Sequence, residues 1–67
     1  MKIKSVTGIS GYTLLVYRST DLLYRFSIIN LSGKALNFQG LFLTAREAKT
    51  EGLAIVRIAS KFHNHSR

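Results

Sequence analysis

At Thr44 the hydrophobic pattern of this chain changes period, and that change decides what it can fold into. Before it, short β-rich segments either alternate, as at residues 22–30, or are apolar on both sides, as at Leu14-Leu15-Val16-Tyr17; after it, apolar residues recur at spacings of three and four. Thr44-Ala45-Arg46-Glu47 reads as a capping box, in which the threonine hydroxyl accepts from the third helical amide and the glutamate reaches back. From Ala45 onward the apolar and small residues fall at 45, 48, 52, 55, 56, 59 and 62, one stripe of a helix expected to run to about Lys61. Arg46, Thr50, Arg57 and Lys61 lie on the opposite side. Gly52 costs a helix interior about 1 kcal/mol relative to alanine. Its place inside the apolar stripe predicts a close approach of the helix to a sheet.

The residues before Thr44 read as strands. Tyr12 to Ser19 is rich in β-branched and aromatic types, and Ser19-Thr20-Asp21 supplies a turn. Residues 22–30 alternate: Tyr24, Phe26 and Ile28 point one way, and Leu23, Arg25, Ser27 and Ile29 the other. Leu31-Ser32-Gly33-Lys34 is a tight turn with glycine where a positive φ is needed. A further strand follows through Ala35–Phe38, and Gly40 interrupts it as a bulge or bend does. Residues 1–11 hold a short alternating piece and the Gly8-Ile9-Ser10-Gly11 break, and read as an edge strand or a loose arm. Residues 62–67 show no period and read as a flexible tail. The expected fold is one α+β domain over residues 1–67, a three- to four-stranded antiparallel meander with one C-terminal helix packed on one face.

One helix covers one face of a sheet. The other face would hold Leu15, Tyr17, Leu23, Arg25 and Ile29, a contiguous apolar patch with a single arginine in its midst. Such patches mark partner surfaces. Either residues 1–9 fold over the patch, with Ile3, Val6 and Ile9 as cover, or another chain does, a second copy or the larger assembly of which this chain is an accessory subunit.

Composition narrows the function classes. Sixty-seven residues make one domain, so an interdomain catalytic cleft is excluded. No cysteine is present, hence no disulfide framework and no thiolate metal site. Three carboxylates and two histidines are little material for acid–base or metal chemistry, and Glu47 is committed to capping. Gly8 and Gly11 precede a strand rather than a helix, which is the wrong setting for a phosphate loop. The expectation is a non-enzyme with no cofactor, no metal and no small-molecule substrate. No apolar run approaches the roughly 18 residues of a membrane span, and the basic start Met1-Lys2-Ile3-Lys4 has no apolar region behind it, so a soluble cytoplasmic protein is expected.

Ten Lys and Arg against three Asp and Glu give a formal charge of +7. That charge attracts polyanions. Arg46, Lys49, Arg57 and Lys61 on the helix are the candidate contacts for a sequence-independent nucleic-acid interaction. Tyr12 and Tyr17 are the candidate stacking platforms.

From Gly11 to Val56 the chain resembles the YegP-like family of small bacterial domains of unknown function. The shared features are Val16-Tyr17-Arg18, Tyr24-Arg25-Phe26, the Ser32-Gly33-Lys34 turn and Gly40 with an aromatic two residues on. The Thr44 cap and Ala48 followed by Gly52-Leu53-x-x-Val56 complete the set. The resemblance implies a ββ(β)α fold that associates as dimers or tandem copies, and no activity. Three strands followed by a helix opening Thr-Ala-Arg-Glu-Ala is also similar to the plant and integrase-arm DNA-binding domains, which read the major groove with the sheet. For such a role Arg18, Arg25 and Lys34 would be the candidates.

Overall fold

Strand-forming segments through residue 37 and a helical period after residue 44 produce two layers. The computed structural model describes residues 2–20 and 22–65, the last four as backbone alone. Strands β1 (Lys2–Ile9), β2 (Tyr12–Arg18), β3 (Tyr24–Ile29) and β4 (Ala35–Asn37) pair in chain order as one antiparallel meander. Helix α1 (Ala45–His65) packs across one face, against β2 and β3. The expected α+β architecture is the one observed, with β1 the outer strand beside β2 and not a loose arm.

Each turn has a local cause. Ile9 pairs with Tyr12, leaving a two-residue loop in which Ser10 (φ 53°) and Gly11 (φ 83°) are both left-handed. This is the mirror-image type I turn, whose twist matches that of the strands. Serine there costs about 1–2 kcal/mol of steric strain, less where a short polar side chain bonds locally. Ser10→Asn should therefore raise the melting midpoint by roughly 3–6 °C, from about 0.5–1 kcal/mol of relieved strain in a chain of this size. An unchanged or lower melt by circular dichroism would contradict that account.

The β3–β4 turn is tied by one side chain. Asn30 Oδ1 accepts from the Ser32 amide at 3.0 Å, the Ser32 hydroxyl at 2.9 Å and the Lys34 amide at 2.9 Å. Gly33 sits at φ 86°, as expected, and donates its amide to the Asn30 carbonyl. Asn30→Ala should cost about 1–2 kcal/mol, because three bonds give way to exchange with water. A chemical-denaturation shift under about 0.3 kcal/mol would show that the backbone alone sets this turn.

Strands β2 and β3 each end one residue short of the sequence expectation, and three other boundaries differ from it. Strand β3 begins at Tyr24 rather than 22, because the Leu23 carbonyl accepts from both the amide and the hydroxyl of Ser19, at 2.9 Å each, and Leu22 turns at φ 67°. Strand β4 stops at Asn37, and pairing resumes only at the Tyr24–Phe42 bridge. Helix α1 continues to His65, past the expected stop at about Lys61 and through most of the predicted tail. No proline or glycine follows Gly52 to stop it. Asp21 and residues 66–67 of that tail lie outside the described residues.

The core lies between the layers. Leu14 faces Ile28 and Val16 faces Phe26 across the β2–β3 ladder. With Ala48 and Val56 of the helix, all six are at most 2% exposed. The Phe26 ring stacks on Phe38, with centroids 5.1 Å apart, and tilts against Phe42 at 5.9 Å. The break around Gly40 allows this, because it returns the chain to β3 after β4 has ended. The first half of the cap forms as read, with the Glu47 amide donating to Thr44 Oγ1 at 3.1 Å; the glutamate side chain reaches back to the Thr44 hydroxyl, which donates to Oε1 at 3.4 Å, rather than to the backbone amide of a full capping box.

Candidate interaction surface

Directly paired residues of an antiparallel ladder share a face. Since Leu14, Val16, Phe26 and Ile28 face the helix, the pairs Val6–Leu15, Ile3–Tyr17, Tyr17–Arg25, Leu15–Ser27, Thr13–Ile29, Ile29–Ala35 and Ser27–Asn37 face away from it. Four of the five residues singled out from the sequence, Leu15, Tyr17, Arg25 and Ile29, thus stand together on the open face, each half-buried. Leu23 stands one residue outside the ladder, in the turn, because of the Ser19 bonds.

Residues 1–9 do not cover this face. Strand β1 lies beside β2 and widens the sheet. Ile9 packs on the helix side. Ile3 and Val6, expected as cover, are themselves 54% and 62% exposed. Residues three apart on a regular strand point to opposite faces. Here a bulge between Ile3 and Ser5 inserts Lys4, and that extra residue brings Ile3 and Val6 onto the same face. Nothing in the alternation of the sequence announces this.

The open face is concave at its centre. Ile3, Leu15, Tyr17, Ser27, Ala35 and Asn37 line a hollow of about 360 Å³ that draws on all four strands. Two of its polar groups meet each other, the Ser27 hydroxyl donating to Asn37 Oδ1 at 2.6 Å. The rest of the lining is aliphatic or aromatic. Arg25 is the one charged side chain among the paired residues of this face.

The helix presents a second surface. At about 100° per residue, Arg46, Arg57 and Lys61 fall within about 60° of one another on the outer side, Lys49 lies about 60° from Arg46 toward the sheet, and Glu47, Ile58 and Glu51 follow Lys61 round the other way. Arg46, Arg57 and Lys61 are exposed and Lys49 is half-buried. Arg18 and Arg25 do not form a sheet-borne basic patch: Arg18 pairs with Lys2 and Tyr24 on the helix side, and Arg25 with Tyr17 on the open side. Of the two tyrosines read as stacking platforms, Tyr12 packs against the helix-side core, because its hairpin pairing with Ile9 fixes that orientation.

Among the described residues no group of three His, Cys, Asp or Glu is placed to hold a metal ion. No helix among them is long and apolar enough to cross a membrane. The chain matches no protein-family model, no curated protein and no solved structure.

Proposed function

We propose that this chain is a small non-catalytic interaction module, cytoplasmic, that pairs with a second copy of itself through the open face of its sheet. The observation that carries the reading is the apolar face opposite the helix, on which Ile3 and Val6 are exposed beside the half-buried Leu15, Tyr17 and Ile29, and which β1 widens rather than shelters. The YegP-like resemblance implies association as dimers or tandem copies. A surface with a single charge suits a like partner, because the chain's +7 is carried mostly elsewhere.

Magnitudes set the strength. Four strands at about 4.8 Å spacing and some 20 Å long give a face of roughly 400 Å², so two copies bury roughly 800 Å² in total, below the roughly 1,200 Å² at which specific, stable interfaces begin. The dimer is accordingly weak and concentration-dependent. Two copies at +7 repel, and salt screens that repulsion, so pairing should tighten as ionic strength rises. Sedimentation across a concentration series, at about 0.05 and 0.5 M salt, tests this. Wild type should shift from monomer to dimer, more readily at the higher salt, and Leu15→Asp should remain monomeric with an unchanged far-ultraviolet spectrum. A wild-type chain that stays monomeric at millimolar concentration in high salt would overturn the reading.

A further inference from the structure

Pairing through the open face has a geometric consequence for the helix. Two sheets meeting face to face put both helices on the outside, giving a helix–sheet–sheet–helix stack. With layers about 10 Å apart, the two helix axes lie roughly 30 Å from each other. On each helix the flank bearing Arg46, Lys49, Arg57 and Lys61 is turned sideways to outward from the sheet, since Ala48, Gly52 and Val56 occupy the inner side. The two basic flanks of a dimer therefore cannot converge on one rod-like ligand.

We infer that the dimer bridges two nucleic-acid duplexes, each gripped along its phosphate backbone by the basic flank of one outward-facing helix. The inference rests on the proposed self-association and adds the ligand and its stoichiometry.

Arg46 to Lys61 spans fifteen residues, about 22 Å of helix, along which the exposed Arg46, Arg57 and Lys61 lie within about 60° of one another, with the half-buried Lys49 about 60° to one side and Glu47 about 40° to the other. A linear array of like charge is complementary to a linear polyanion, and duplex DNA offers one phosphate per about 1.7 Å of axis. The flank's exposed side chains reach phosphates, so the contact is sequence-independent. An anionic membrane suits it less well. A helix that lies on lipid buries an apolar stripe there. The apolar stripe of α1 is already spent against the sheet, with Gly52 and Val56 buried.

The test uses short DNA duplexes carrying donor or acceptor dyes. Fluorescence anisotropy of one duplex should show binding that weakens by about a hundredfold between 0.05 and 0.2 M salt, as four phosphate contacts require. Mixing both duplexes with wild type should give energy transfer that is lost when protein is in large excess. Leu15→Asp should bind with similar affinity but give no transfer. The Arg57→Glu, Lys61→Glu double variant should lose binding at least tenfold yet sediment like wild type. Absence of binding at low salt, or binding indifferent to the double variant, removes the ligand assignment without touching the dimer. Binding by a wild type that sediments as a monomer and gives no transfer refutes the dimer while leaving the flank's role. Transfer by Leu15→Asp equal to wild type overturns the bridging geometry. Preferential capture of phosphatidylserine vesicles over duplex overturns the choice of nucleic acid.

Discussion

Gly52→Leu should unfold a large part of the population at room temperature. A Cβ at position 52 would lie 2.5 Å from Leu14 Cδ1, 3.1 Å from Cδ2 and 3.3 Å from Cγ. Leu14 is 1% exposed and cannot swing aside into water. Overpacking of this kind costs about 1–3 kcal/mol, and a leucine with three further carbons belongs at or above the upper end. A chain of 67 residues has roughly 3–10 kcal/mol of stability in all. Gly52→Ala separates the close approach from mere helix propensity. On an exposed helix that change gains about 1 kcal/mol. Here the clash should turn it into a net loss of about 1 kcal/mol, read from the urea midpoint. A stabilised Gly52→Ala would mean that helix and sheet are not in tight contact.

Phe26→Ala is the second severe change, at about 3–5 kcal/mol. Phe26 is 1% exposed and stands at the centre of three aromatic rings, pairing with Phe38 and Phe42. Removing it opens a cavity and also forfeits two ring contacts, each worth about 0.5–1.5 kcal/mol beyond area alone. The segment from Phe38 to Phe42 is held to the sheet by these rings and by the reciprocal amide–carbonyl bonds between Tyr24 and Phe42, at 2.8 and 3.0 Å. It should loosen first. Hydrogen exchange of the Phe42 amide should accelerate in Phe26→Leu, a milder variant that stays folded, before the β2–β3 ladder is affected. Equal acceleration in both regions would show that the aromatic cluster does not anchor this segment separately.

The sheet-plus-helix architecture was legible because two unlike periods stand side by side. Tyr24, Phe26 and Ile28 face the helix, and Gly52 sits where the layers approach most closely. Thr44 and Glu47 name the helix start, since a capping box is a strictly local pattern. Much of the open face was readable for the same reason: Leu15, Tyr17, Arg25 and Ile29 follow from alternation and pairing. What escaped depends on interactions alternation does not encode. The bulge at Lys4 adds one residue and inverts the phase of β1, so Ile3 and Val6 join the surface they were expected to shelter. Leu23 left the ladder because Ser19, the first residue after β2, captured its carbonyl. The hollow needed Ala35 and Asn37 of β4, a three-residue strand too short to carry a period.

The order of the elements makes the helix the last piece to arrive. Every strand pairs with its neighbour in sequence, so the sheet's ladders need nothing from the helix, and only its inner face does. A polypeptide released without the helix would display Val16 and Phe26 on one side and Leu15 and Tyr17 on the other, both surfaces greasy at once. Premature stop codons falling between Gly40 and Gly52 should therefore yield insoluble rather than merely truncated products.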